Sequence, residues 1–320
     1  MQGLTDAPMR AVLGEMGAFT FAVSEFLRIS TSLPSKRAFY RHVPELLNDG
    51  RTPSGLPVQV QLLGGDAALM ADSATVASQA GAKAIDLNFG CPAPIVNNHD
   101  GGAILLKDPS RIRSIVRAVR NAVPAEIPVS AKLRLGWDSM DSIIENAECA
   151  AEGGASWLTI HGRTRAQGYA PPAHWEPIGL VRERTGIPVV ANGDIWSVDD
   201  FRRCRDVTGC THFMLGRGAL ANPYLSMLIA QELRLLPLTA IEPMSSDFDW
   251  TPCLRRLAYH SFEMHAHSPS STLARIKQWL MLASRHGAFL GFDQIKRLDT
   301  LDDLFDALAV DRSVATVTYR

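Results

Sequence analysis

The sequence predicts an α/β protein, a parallel (β/α)8 TIM barrel followed by a C-terminal all-helical domain. Three observations predict it. Short β-branched or aromatic segments alternate with helical stretches along the first two thirds of the chain, the pattern of a parallel sheet covered by helices. Polar residues recur at the ends of those segments, where a barrel keeps its chemistry. Beyond residue 232 the strand signal stops and only helical patterns follow.

The elements follow in order. Thr5 or Asp6 caps a helix over APMRAVLGEM that Gly17 ends. Seven strand segments come next: FTFAVSEF (19–26), PVQVQLLG (57–64), AIDLNFG (84–90), VSAKLRL (129–135), WLTIHG (157–162), PVVANGD (188–194) and HFMLGRG (212–218). Helices such as DPSRIRSIVRAVRNAV (108–123) and DSIIENAECAAEGG (141–154) separate them. In the first of these Asp108 caps, Pro109 suits the first turn, and Ile112, Ile115, Val116 and Val119 form one apolar stripe. A closed barrel needs an eighth strand. The expectation is that a first strand is missing from this sequence, which makes PVVANGD and HFMLGRG the seventh and eighth. The expected domains are a barrel over 1–234, a Pro/Ser-containing linker over 235–250 and a helical domain over 251–320.

With 46 % hydrophobic and 20 % charged residues among 320, the chain carries a sizeable core and is not disordered. A net charge of −1 excludes a uniformly basic nucleic-acid binder, so any basic face is local. One candidate is 251–300, with a net formal charge of +4. Cys91, Cys149, Cys204, Cys210 and Cys253 are odd in number and lack metal-ligand spacing. They predict no disulfide framework and no metal site, and fit a reducing cytoplasm. No apolar run reaches the roughly 18 residues of a membrane span, and no stable protein partner is indicated, so a monomer is expected.

The polar strand tips are Glu25 and Arg28, Gln59 and Gln61, Asn88 and Cys91, Lys132 and Arg134, His161 and Arg163, and Asn192 with Asp194. Any one fits a structural rim role; a complete ring points to a site. Cys91 alone fits a small buried hydrophobe as well as an acid. Asn192-Gly193-Asp194 and Gly216-Arg217-Gly218 end consecutive strands, where barrels often bind phosphate through backbone N–H groups and cationic forks.

The stretches GLTDAPMR, VQLLG, DLNFGCPAP with GGAILLKDP, AKLRLGWD, HGRTRAQGY, ANGDIW and LGRGAL together resemble the tRNA-dihydrouridine synthases over nearly the whole chain. ARIKQWL, RTPSG and GWDS are most similar to the bacterial C subgroup, which acts on uridine 16 of the D-loop. The resemblance implies FMN, reduced by NADPH with NADH possible, and saturation of the uracil C5–C6 bond. Hydride goes from flavin N5 to C6, and Cys91 matches the family's proton donor to C5. It implies cofactor contacts at Met1, Gln61, Lys132, His161, Asn192, Gly193, Asp194, Gly216 and Arg217. Arg28, Asn88 and Tyr169 match substrate-side positions, and Arg275, Lys277 and Lys296 are expected to grip tRNA phosphates. The family begins with a strand ending in APM, of which only Met1 remains here. Three other readings stay open at this point: a flavin reductase of a free pyrimidine or small enone, an aldolase using Lys132 as a Schiff base, and a non-catalytic tRNA-binding protein.

Overall fold

The computed structural model describes residues 3–237 and 248–315, with side chains through residue 309. They pack as two compact units: Thr20–Gly216, and the residues up to Phe19 together with those from Arg217 onward. The boundaries expected at 234 and 251 both lie inside the second unit. The N-terminal helix and residues 217–232 pack with the C-terminal helices, and 238–247 of the expected linker lie outside the described residues.

The strands are β1 (Ala22–Val23), β2 (Leu27–Arg28), β3 (Val58–Leu63), β4 (Ile85–Asn88), β5 (Val129–Arg134), β6 (Leu158–His161), β7 (Val189–Asn192) and β8 (His212–Met214). The helices are α1 (Ala7–Met16), α2 (Lys36–His42), α3 (Ala67–Gln79), α4 (Pro94–Asn97), α5 (Pro109–Ala122), α6 (Ile143–Glu152), α7 (Glu176–Thr185), α8 (Val198–Thr208), α9 (Arg217–Ala221), α10 (Leu225–Glu232), α11 (Thr251–Glu263), α12 (Pro269–Arg285), α13 (Phe292–Ile295) and α14 (Leu301–Ala315). None of those described is long and apolar enough to cross a membrane.

In the first unit every strand pair is parallel, and the path β1-β3-β4-β5-β6-β7-β8 curls as in a (β/α)8 barrel, with β2 also on β3. All seven expected strand segments are present, and among the described residues α1 precedes the first of them. The first segment is interrupted. Six residues from Ala22 to Leu27 face five from Val58 to Leu62, so one residue is extra and the strand bulges there. Ser24 fills the gap, its Oγ accepting the Gln61 N–H at 3.0 Å.

Helix α5 forms as its pattern requires. Asp108 accepts the Arg111 N–H, Pro109 opens the first turn, and Ile112, Ile115, Val116 and Val119 are all buried. That face covers the sheet and fixes where β4 and β5 end, and hence where their polar tips stand.

The second unit is helical. Asp6 caps α1 through the Met9 N–H at 3.0 Å, and Gly17 ends it. Met9 and Val12 of α1 join Leu254, Leu257, Ile276 and Leu280 in one core. Within it Trp250 meets Trp279 edge to face at 5.7 Å between centroids. Both indole N–H groups are satisfied, on the Ala288 and Leu220 carbonyls, as buried tryptophans require.

Candidate active site at the strand tips

Side chains alternate across a strand, so Gln59 and Gln61, Asp86 and Asn88, Ser130, Lys132 and Arg134, and Thr159 and His161 each share one face of their strand. The register sets these faces side by side: Gln61 opposite Asp86, Asn88 opposite Lys132, Arg134 opposite His161, and His161 opposite Asn192. A continuous polar layer therefore crosses β3 to β7.

Asp86 is its hub. Only 1 % exposed, it accepts from Ser130 Oγ at 2.5 Å and Gln61 Nε2 at 2.7 Å. Gln61 Oε1 in turn accepts from Asn88 Nδ2 at 2.9 Å, and Asn88 Oδ1 accepts the Gly90 N–H at 2.9 Å. The chain of amides runs from the buried carboxyl to the loop that carries Cys91. Burial pushes the Asp86 carboxyl up to about 6 against the Ser130 and Gln61 hydrogen bonds and the Lys132 charge. Burial and the Arg134 charge bring Lys132 down to about 8, against the pull of Asp86. Lys132 Nζ donates to Asn192 Oδ1 at 3.1 Å, and Asn192 Nδ2 donates to the Met214 carbonyl at 2.9 Å.

Cys91 sits on the loop after β4. Its carbonyl accepts from Ala103 N at 3.0 Å and Asn97 Nδ2 at 3.3 Å, which ties the loop down on both sides. Gly102 makes that approach possible: its φ is +68°, and a Cβ there would lie 2.8 Å from the Cys91 oxygen. The thiol is half-buried. Burial raises it above its usual value, against the lowering effect of the Ala93 N–H and of Arg134, so it is protonated at neutral pH. Arg134 anchors the same loop from β5, donating to the Gly90 carbonyl at 2.7 Å, with its guanidinium 5.3 Å from the Tyr169 ring centre. Tyr169 is 60 % exposed, which leaves aromatic surface open to stacking.

The remaining expected site residues are placed as follows. Arg28 lies on β2 opposite Leu63. Asp194 is engaged inside the protein: buried Arg163 pairs with it and the Ala173 N–H donates to it at 2.9 Å. Burial pushes Asp194 up, but the Arg163 hydrogen bond and charge hold it below the ordinary carboxylate value. A fixed carboxylate repels phosphate, so its own oxygens serve the loop, and the turn offers backbone only. Gly193 has φ +124°, and Trp175 donates to its carbonyl at 2.9 Å. Gly216 follows β8, while Arg217 opens α9 in the other unit. Met1 lies outside the described residues.

The three cations expected to grip phosphate have internal partners. Arg275 contacts Asp6 at 3.1 Å, the Gly3 carbonyl at 2.8 Å and Gln278 at 2.8 Å. Lys277 donates to the Lys296 and Leu298 carbonyls, and Lys296 pairs with Asp293 at 2.5 Å. Residues two apart on a helix point away from each other, so Arg275 and Lys277 serve different sides of α12. Trp279, which follows them, is buried.

Sequence reasoning missed Asp86 and Ser130. The signal was present: an acid inside AIDLNFG at the same parity as Asn88, across from a serine at the parity of Lys132. The residues fit a flavin. Lys132 keeps two of its three N–H directions without a partner among the described residues, and buried Gln59 Oε1 has no hydrogen bond. A planar heterocycle with N–H and carbonyl groups and a delocalised negative charge when reduced matches these donors and this acceptor.

The comparisons agree with this geometry. Residues 1–300 match the family described as "Dihydrouridine synthase (Dus)". The chain is 43 % identical over 290 residues to a tRNA-dihydrouridine(16) synthase of Aquipseudomonas alcaligenes, covering 89 % of each chain. It is 41 % identical over 321 residues to that of Pseudomonas putida, covering 98 % and 96 %, and 43 % identical over 312 residues to that of Neisseria meningitidis serogroup B, covering 97 % and 92 %. Among solved structures it resembles 6-hydroxypseudooxynicotine amine oxidase from Pseudomonas geniculata N1, with TM-score 0.55 and 15 % identity over 71 % of this chain and 44 % of that one. It also resembles histamine dehydrogenase from Rhizobium sp. 4-9, with TM-score 0.54 and 15 % identity over 81 % and 47 %. The chain spans less than half of each of these two, and the likeness is one of fold alone. Family match, relatives and strand-tip chemistry converge: the chain belongs to the dihydrouridine synthase (Dus) family.

Proposed function

We propose that this chain reduces a uridine of tRNA, at position 16 of the D-loop, to 5,6-dihydrouridine, with FMN as cofactor and NADPH as reductant. The observation that carries the reading is the half-buried, protonated Cys91 thiol, held by Gly102, Asn97 and Ala103 on a loop next to a polar layer that includes Lys132. Names of relatives at 41–43 % identity support the substrate and the position.

When bound, FMN supplies the hydride that C6 of uracil accepts. Addition there places negative charge on the C5 and O4 side, and Cys91 Sγ–H delivers the proton to C5, so the C5=C6 double bond becomes two C–H bonds. The thiolate left behind is restored by water. Lys132 would hold the cofactor's electron-rich edge, with Gln61 and His161 beside it. Asn192, Asp194 and Gly193 after β7 and Gly216 after β8 would serve the ribityl phosphate end through backbone donors. Met1 and Arg217 join this set on the family pattern alone. Asn88 presents an amide to a uracil edge, Tyr169 offers a ring to an extruded base, and Arg28 stands on the substrate side. Arg275, Lys277 and Lys296 would contact tRNA phosphates. Domains of 1–234 and 251–320, joined by 235–250, would divide chemistry from RNA binding.

The test is mass-spectrometric mapping of dihydrouridine in tRNA from a host lacking its own synthases, expressing this chain or its Cys91→Ala variant. Dihydrouridine at position 16 with the unaltered chain alone is the expected result. Its absence, from a chain that retains flavin, would overturn the reading.

A further inference from the structure

Several cations on the barrel unit's surface have an acidic partner. Arg111 pairs with Asp100 at 2.6 Å, Arg113 with Glu152 at 2.9 Å and Arg184 with Glu148 at 3.4 Å. Lys107 and Arg165, on the strand-tip side, share an aromatic ring instead. Lys107 Nζ lies 4.5 Å and the Arg165 guanidinium 4.4 Å from the centre of the Trp137 ring, and among the described residues neither has a carboxylate partner. The indole offers each a favourable contact but does not neutralise its charge. Two like charges share one ring, an arrangement that favours an anion joining them.

The arrangement is fixed to the site's own framework. Lys107 ends the 3-10 turn Gly102–Lys107, whose Ala103 N–H donates to the Cys91 carbonyl at 3.0 Å. Trp137 stands three residues beyond Arg134, the anchor of Gly90. The loops bearing Trp137 and Arg165 are stitched together, Arg165 N to Gly136 O at 2.8 Å and Ala166 N to Trp137 O at 2.9 Å. Gly136 has φ +153°, and a Cβ there would come within 2.0 Å of the Ser139 oxygen, so only glycine allows this turn. Beside it opens a recess of about 320 Å³ that Lys107, Trp137, Ser139 and Ser142 line together with Asp138 and Glu145. The two carboxylates in its lining disfavour phosphate within the recess and suit a donor such as a ribose 2′-hydroxyl.

We infer that Lys107, Trp137 and Arg165 form an RNA-backbone platform on the barrel rim, taking phosphates of the substrate on the two cations and a neighbouring ribose in the recess. This rests on the proposed action on tRNA. The platform would hold the strand beside the extruded base and offset part of its unstacking cost.

Full-length protein is titrated with unmodified tRNA at several salt concentrations, as the unaltered chain, as Lys107→Gln, and as the Lys107→Gln/Arg165→Gln double variant. Thermal melting and NADPH-driven flavin reduction serve as checks of folding. The double variant is expected to bind about tenfold more weakly, and each lost phosphate contact to reduce the slope of log K against log salt by roughly 0.7–0.9. Lys107 is exposed, so its single variant keeps the test open if the double variant unfolds. Unchanged affinity and slope would overturn the platform. So would unchanged tRNA binding with a several-fold higher KM for NADPH, which would assign the cations to the dinucleotide. Dihydrouridine mapping on the unaltered chain is scored separately: a chain that binds tRNA through this platform without reducing it defeats the functional reading and leaves the platform standing.

Discussion

The two compact units use their charged residues in opposite ways. In Thr20–Gly216 the interior charges Asp86 and Lys132 stand among hydroxyls and amides at 2.5–3.1 Å, and Lys132 keeps donors in reserve. In the helical unit several basic side chains close on its own chain. Arg275 and His267 meet Asp6 at 3.1 and 2.8 Å, and His260 meets Glu15 at 2.7 Å. The first pattern is poor for stability and prepared for a ligand; the second fastens a first helix to the helices that pack on it. A segment with net charge +4 is therefore not by itself a basic face, because what counts is which donors remain uncommitted.

The sharpest way to break this comparison lies at Cys91. If the barrel rim is built for proton delivery, Cys91→Ala lowers single-turnover reduction of tRNA uridine by about a hundredfold to ten-thousandfold, with tRNA affinity unchanged. Gly102→Ala should lower the same rate without removing any functional group, since its methyl meets the Cys91 carbonyl. Rapid mixing of reduced enzyme with tRNA measures both. An undiminished rate in Cys91→Ala would place the acid elsewhere.

The next effect is on stability. A carboxyl whose folded pKa is raised from 3.8 to about 6 binds protons more readily in the folded state, so it makes stability fall as pH rises from 4 to 6. Lys132, brought from 10.5 to about 8, makes stability rise again as pH climbs from 8 to 10.5. Between pH 6 and 8 both are charged and both cost stability, each by up to about 3 kcal/mol at 1.36 kcal/mol per pKa unit. Asp86→Asn should flatten the acid-side fall. Denaturant midpoints of the variant and the unaltered chain across pH 4–7 check it, and parallel curves would show that the carboxyl is not the titrating group.

These differences explain what could be read from the sequence. Barrel strands announce themselves by composition, and their tips by parity and turn residues, so Gln61, Asn88, Cys91, Lys132, His161 and Asn192 could be placed in one ring from local signals. The bulge that splits the first strand at Ser24 could not, because it depends on register against Val58–Leu62. Nor could the roles of Arg275 and Lys277. Their partners are Gly3 and Asp6 near the start of the chain and the carbonyls at 296 and 298, and no periodicity within α12 reports them. Asp194 shows the same limit: a glycine turn at a strand end suggested an anion site, while its carboxylate was already committed to buried Arg163.

Arg275 tests the helical half of the comparison. Its side chain is 16 % exposed, and Arg275→Ala leaves Asp6, the Gly3 carbonyl and Gln278 short of a donor. The expected cost is about 1–3 kcal/mol, seen as a lower denaturant midpoint, with the tRNA salt slope unchanged if the guanidinium is fully committed. A reduced slope at unaltered stability would return Arg275 to the RNA-facing set.

The smallest effect is the most discriminating. Lys296 is the most exposed of the three cations at 43 %, and its partner Asp293 is 89 % exposed. An i, i+3 surface pair of this kind contributes about 0.5 kcal/mol or less, and water or phosphate can displace the carboxylate with little loss. Lys296→Gln should therefore leave the unfolding midpoint where it was and, if the helical unit touches RNA, reduce the salt slope of tRNA binding by about one phosphate. Measured beside Arg275→Ala, it separates a cation that fastens the fold from one that can reach a ligand. If the slope stays fixed for both, Arg275 and Lys296 are structural and the barrel rim becomes the first place to look for the RNA contacts.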